Sequence, residues 1–188
     1  MFIGYKNHFR SVLSFTFIIL DFVFYISLMP TIHLTTFIPA PVKRVFDLSR
    51  SISLHKLSMQ HTGEKAVGGV TSGLIKQDET VTWKAKHLFK TRFFTSKITE
   101  MLPFEKFTDK MISGDFKSFE HEHHFKPTSN GTIVIDILHF ETPYGILGKL
   151  VNKFYLSSYI EKLIKQRNNV IKQYATGEKW KALLQTHY

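Results

Sequence analysis

A chain of 188 residues, 43% hydrophobic and 21% charged, has the composition of one globular domain with a sizeable core, which excludes intrinsic disorder. The absence of cysteine excludes a disulfide framework, a zinc ribbon and a cysteine nucleophile. The formal charge of +10 raises nucleic acid or an anionic membrane as partners, yet the basic residues are scattered, with runs no longer than pairs such as Lys43-Arg44. A solvated basic surface accounts for that charge, and a nucleic-acid partner is not expected.

Residues 1–29 form an apolar N-terminal extension, with Lys6 and Arg10 ahead of a run from Ser11 to Met29. Such a run suits a membrane anchor or a signal peptide. Asp21 opposes insertion, because a carboxylate near the middle of a spanning helix costs about 2.5–3.5 kcal/mol, and no small-x-small cleavage site precedes Pro30. Met29 stands two residues before the first strand, so a misplaced start is the preferred reading, with a membrane anchor as the alternative. The folded domain is expected over residues 30–188. A cytoplasmic location is expected, or membrane attachment if the anchor is real.

From Thr31 the elements follow in clear order. Thr31 to Ile38 is β-rich and ends at Pro39-Ala40-Pro41; Pro41 suits a helix start, and Val42, Val45, Phe46 and Leu48 give a helical stripe to Arg50. Ser51 to Met59 predicts a second short helix, and glycines at 63, 68 and 69 bracket a short strand. Thr80 to Phe89 alternates Val81, Trp83, Ala85, His87 and Phe89 on one face with Thr82, Lys84 and Lys86 on the other. Strands follow over Arg92 to Met101 and Lys106 to Ile112, with Pro103 in the turn between them.

The stretch Gly114 to Phe125 (GDFKSFEHEHHF) is the most informative of the chain. Its histidines and glutamates suggest a metal site, but Phe119, His121, His123 and Phe125 share one parity, and Glu120, Glu122 and His124 the other. Side chains alternate across a strand, so this reads as one strand with an aromatic and imidazole face inward and an acidic face in solvent. Ser129-Asn130-Gly131 predicts a hairpin into Thr132 to Phe140. After Pro143 the period changes to that of a long amphipathic helix, through Leu147, Leu150, Phe154, Ile160, Leu163, Ile164 and Ile171, kinked near Leu156–Ser158 and ending at Gly177.

This order, a strand, short helices, about six more strands and a long helix, is α+β. A curved antiparallel sheet wrapped around one C-terminal helix, with two short helices after the first strand, is the helix-grip fold. Such a sheet cannot bring all its side chains to one helix, and a cavity between them is the expected consequence.

The chain resembles the SRPBCC superfamily, which includes START-like and polyketide-cyclase-like domains, from about Pro30 to Ala175. It looks in particular like bacterial ligand-binding SRPBCC proteins sometimes labelled cell-division-inhibitor-like. The opening from Ile32 to Leu48 with its Pro39-Ala40-Pro41 and Val45-Phe46-Asp47, the stretch Gly114 to Phe125 followed by Gly131-Thr132 and Asp136, and Pro143 to Gly148 with Arg167-Asn168 carry the resemblance. It implies a cavity for a hydrophobic ligand and, in some branches, enzymes that cyclise or dehydrate. No catalytic motif transfers residue by residue.

Parity nominates Trp83, Ala85, His87, Phe94, Ser96, Ile98, Phe107, Asp109, Met111, Phe119, His121, His123 and Phe125 as inward-facing, with the turn at Ser113–Asp115 setting Asp109 opposite Phe119 and His121 on a diagonal. The ligand-binding candidates are Trp83, His87, Phe94, Asp109, Phe119, His121, His123 and Phe154. An inward Asp109 beside inward histidines is a polar cluster that needs partners. It serves structure alone, orients the polar end of an apolar ligand, or works as an Asp–His acid–base pair. His121 and His123 would supply a metal with two ligands, and His87 or Asp109 a third; no metal and no cofactor is assigned. The favoured reading is a non-enzymatic protein that binds a small hydrophobic or lipid-like molecule between sheet and helix. The alternatives are a cyclase, dehydratase or isomerase using the same cluster, and a regulatory protein-interaction module.

Overall fold

The computed structural model describes residues 31–87, 89–143 and 155–184. Strand β1 (Thr31–Ile38) leads into helices α1 (Val42–Ser49) and α2 (Ile52–Ser58). Strands β2 (Lys65–Gly69), β3 (Thr80–His87), β4 (Lys90–Leu102), β5 (Lys106–Ser113), β6 (Ser118–Thr128) and β7 (Gly131–Glu141) follow, then helices α3 (Ser157–Thr176) and α4 (Trp180–Leu184). The strands form one antiparallel sheet in the order β1-β7-β6-β5-β4-β3-β2. Consecutive strands from β2 to β7 are neighbours, and β1 closes onto β7 across its full length. This is the α+β helix-grip architecture.

Local chemistry sets each element. Pro41 stands at the start of α1 with its carbonyl accepting from Val45 N–H at 3.1 Å, and Ser51 Oγ caps α2 by accepting from Leu54 N–H at 3.3 Å. Register shifts between Ala66 and Gly68 and at Thr95/Ser96 and Ile98/Glu100 interrupt the ladders, and such bulges bend and twist the strands that carry them. The hairpin turns through Ser129 and Asn130 between paired Thr128 and Gly131. Gly131 is there for close approach: a Cβ would lie 2.4 Å from Ile38 O.

The concave face carries the core. Phe46 of α1 meets Phe104, Phe107 and Phe125 edge-on at centroid distances of 5.2–5.7 Å. A second cluster joins Ile32, Leu138 and Phe140 of the sheet to Ile160 and Ile164 of α3. Helix α3 spans about 30 Å at 1.5 Å per residue and packs on β1, α1 and α2. It buries Ile160, Ile164, Arg167, Asn168, Ile171 and Ala175. Two polar residues therefore lie in the middle of its buried face.

Some expectations shift. Strand β3 ends at His87; Phe89, expected inward, occupies a positive-φ turn (φ 65°) and is 98% exposed. The connection from β5 to β6 runs on to Lys117, with Phe116 folded against Phe119 and Phe140 (5.2 and 5.8 Å). The longer connection moves the pairing by two residues, so Asp109 faces His121 and Phe107 faces His123. Parity survives such a shift. A π-helical turn at Tyr155–Leu156 stands where the kink is expected. The short α4, absent from the sequence reading, buries Leu184 in the main core, while Arg44 lies over the Trp180 ring at 4.2 Å. Among the described residues, no helix is long and apolar enough to cross a membrane.

Candidate functional site

Strand β7 buries Thr132, Val134, Asp136, Leu138 and Phe140 in strict alternation, so Asp136 enters an otherwise mostly apolar face and is 0% exposed. A buried carboxylate persists only when its oxygens are satisfied. Asp136 Oδ1 accepts from His121 Nε2 at 3.1 Å and His123 Nδ1 at 2.8 Å, both on β6. Its Oδ2 accepts from Asn168 Nδ2 of α3 at 2.7 Å, and Asn168 also donates to Thr36 Oγ1 of β1 at 3.0 Å. One carboxylate thus ties the sheet centre to the helix.

His123 Nε2 reaches Asp109 Oδ2 of β5 at 3.1 Å, so each of its ring nitrogens meets a carboxylate. Burial pushes the Asp136 carboxyl up, but the hydrogen bonds from His121 and His123 and the charges of both rings hold it well below the usual range. Burial likewise raises Asp109, and the His123 hydrogen bond with the charges of His121, His123 and Arg167 brings it below the ordinary value. Burial, then the neighbouring His123 charge, push His121 down and outweigh Asp136 and Asp109, which favours its neutral form. Arg167 lies buried with Nη1 3.9 Å from Asp136 Oδ1 and Nη2 donating to Ser49 O at 2.6 Å.

Neutral His121 donates through Nε2, which leaves Nδ1 as an acceptor with no partner among the described residues. His121, Asp109 and Arg167 form part of the wall of a cavity of about 630 Å³. The rest of that wall is largely apolar, with Trp83, Ile98, Phe94, Phe107, Phe119 and Ile164 prominent.

A second polar group interrupts the wall. His55 of α2 donates from Nε2 to Glu64 Oε1 at 2.8 Å and stacks on Trp83 at 4.3 Å. His87 Nε2 lies 4.0 Å from Glu64 Oε2, and its Nδ1 meets Tyr159 Oη of α3 at 2.9 Å. Burial raises the Glu64 carboxyl, but the His55 hydrogen bond and the charges of His55, His87 and His61 bring it below its usual value. Burial pushes His87 down, against the pull of Glu64.

The structure therefore places Trp83, His87, Phe94, Asp109, Phe119, His121 and His123 on one cavity wall. Phe154 lies outside the described residues. Of the residues expected inward, Ala85, Ile98 and Phe107 also line the cavity; Ser96 and Phe125 are buried elsewhere. His87 belongs to the Glu64 group and not to the histidine pair. Glu122 accepts from His124 at 2.9 Å and Glu120 pairs with Lys110 at 2.9 Å, both on the outer face of the sheet. Sequence reasoning missed Asp136, Arg167 and Asn168 as partners, and missed His55, Glu64 and Tyr159.

The fold is shared with solved structures at low identity. The TTHA0849 protein of Thermus thermophilus superposes with a TM-score of 0.62 at 21% identity, covering 78% of this chain and 100% of that one. The Zhui aromatase/cyclase of Streptomyces sp. R1128 gives 0.63 at 13% identity, covering 78% and 93%. The major latex-like protein 151 of Panax ginseng gives 0.57 at 15%, covering 80% and 99%. No curated protein matches the sequence. Residues 38–155, more than half of the chain, match the family described as polyketide cyclase / dehydrase and lipid transport. With the helix-grip sheet and its cavity, that match makes the chain a member of this family within the SRPBCC superfamily.

Proposed function

We propose that the protein binds a small hydrophobic or lipid-like molecule in the cavity, its polar end set against Asp109, His121 and Arg167. One observation carries this reading: a space of about 630 Å³ walled mainly by aromatic and aliphatic side chains is broken by an ionic cluster on its sheet side. Ligand sites commonly have volumes of roughly 300–1,000 Å³ and use a few convergent polar groups for orientation. Membership of a family described by lipid transport as well as cyclisation supports it.

The unpartnered Nδ1 of His121 favours a second reading. Held in one tautomer by Asp136, the neutral imidazole is suited to take a proton from a hydroxyl or from a carbon beside a ketone, as cyclases, dehydratases and isomerases require. The aromatase/cyclase neighbour is consistent with that chemistry on this fold.

Native mass spectrometry after mild purification tests the binding reading. A co-purifying apolar species is the expected result, displaced by N-phenylnaphthylamine with a rise in its fluorescence. Protein free of such species that also leaves the dye fluorescence unchanged overturns it.

A further inference from the structure

A nitrogen from each of His121 and His123 and a carboxylate oxygen of Asp109 lie within 4.8 Å of one another. What converts this proximity into a site is the way Asp136 uses the other side of each ring. Its Oδ1 takes His121 Nε2–H and His123 Nδ1–H, at 3.1 and 2.8 Å. The nitrogens left over are His121 Nδ1, which has no partner among the described residues, and His123 Nε2, which already faces Asp109 Oδ2 at 3.1 Å. A carboxylate behind each histidine, fixing tautomer and ring orientation, is the arrangement found behind metal-bound imidazoles. Here one carboxylate serves both rings and is itself held by Asn168 at 2.7 Å.

We propose that His121 Nδ1, His123 Nε2 and Asp109 form a three-ligand site for a divalent transition ion at the polar end of the cavity. Two imidazoles and one carboxylate, with no thiolate, suit zinc, cobalt, nickel or ferrous iron. The ion takes the place of the proton that His123 Nε2 shares with Asp109, and that proton leaves to solvent. Three protein ligands leave coordination positions open. All three residues line the cavity, so an oxygen of the bound molecule, or water, fills them. This last clause rests on the binding reading above; the ion site itself does not.

The test uses the full chain, prepared without a metal-affinity tag, stripped with chelator and titrated with Co²⁺ alone. Saturable binding near one equivalent, with the visible bands of a low-coordinate Co²⁺ centre, is the expected result. Asp109→Asn, a near-isosteric change at a side chain 19% exposed, keeps the fold and abolishes those bands. Asp136→Asn weakens binding by about 10–100-fold, as for other residues behind metal ligands. His124→Ala, on the opposite face of the same strand, changes neither. No saturable binding, binding unaffected by Asp109→Asn, or binding lost in His124→Ala overturns the proposal. Apolar species read by mass spectrometry on the same preparation report the cavity separately, so an ion without a lipid and a lipid without an ion are distinct outcomes.

Discussion

Replacing Asp136 by Asn removes one charge at nearly constant shape from the centre of the buried cluster. The carboxylate accepts three hydrogen bonds at 2.7–3.1 Å and faces Arg167 at 3.9 Å, at 0% exposure. Each bond to a charged group is worth about 1.5–3 kcal/mol net, but bonds to one acceptor are not additive and Asn keeps one acceptor oxygen. The larger effect is the charge left behind. Without Asp136, the buried Arg167 guanidinium keeps only Asp109 as a favourable acidic neighbour, and breaking a buried pair on one side costs about 3–5 kcal/mol. Against a typical total of about 5–15 kcal/mol that is a large loss. At about 2–4 °C per kcal/mol for a chain of this size, the melting temperature falls by roughly 6–20 °C. The assay is thermal unfolding by circular dichroism in chelator. Asp109→Asn is the internal comparison: its side chain is 19% exposed and accepts one hydrogen bond, so its loss is about 1–2 kcal/mol. An Asp136→Asn protein melting within about 2 °C of wild type refutes the claim that this carboxylate holds the sheet to the helix.

Other expectations follow from the same geometry. Both His87 and Glu64 titrate below their ordinary values in the fold, so each contributes stability that is complete above its unfolded pKa and is lost as pH falls towards the folded one. For His87 the loss begins below about pH 6.5, and for Glu64 below about pH 4.3; His87→Gln should flatten the upper window and Glu64→Gln the lower, read as melting temperature against pH. An unchanged slope in either variant contradicts the assignment. Ala85→Phe places a ring in the cavity beside Trp83, and should weaken N-phenylnaphthylamine binding about tenfold or more, a loss of about 1.4 kcal/mol, while the fold melts as before. Gly131→Ala drives a Cβ to 2.4 Å from Ile38 O and should lower the urea midpoint by the equivalent of about 1–3 kcal/mol; a midpoint at the wild-type value would show the hairpin yields.

How much of this was readable from sequence depends on the range of the interaction. Strand β6 could be read to the residue, because one face meets water and the other the interior, and alternation reports that difference directly. Its register could not: pairing depends on the β5–β6 connection, and the extension through Phe116 and Lys117 moved Asp109 from Phe119 to His121. Strand β7 hid its buried carboxylate differently. Ile133, Ile135 and Ile137 are as apolar as Val134 and Leu138, so hydrophobic pattern does not say which face is buried and Asp136 carries no signal of its depth. The sign was present but indirect, since an acid within an apolar strand must be buried with partners or sit on the solvent side, and the inward histidines of β6 were the available partners.

Arg167 and Asn168 illustrate the same limit on a helix. They stand between Ile164 and Ile171, at positions the helical period places inward, yet they read as a gap in the apolar stripe. Burial at those positions follows only once their distant acceptors are in place: the Ser49 backbone carbonyl, 118 residues away, for Arg167, and the Asp136 carboxylate, 32 residues away, for Asn168. The Glu64 group shows the extreme case: its four members come from α2, the loop before β2, the end of β3 and α3, and no segment holds more than one. Local pattern finds the walls of such a cavity, because walls are made by repetition. It does not find the polar groups that interrupt them, because each is satisfied from a distant element, and those interruptions are what give the cavity its chemistry.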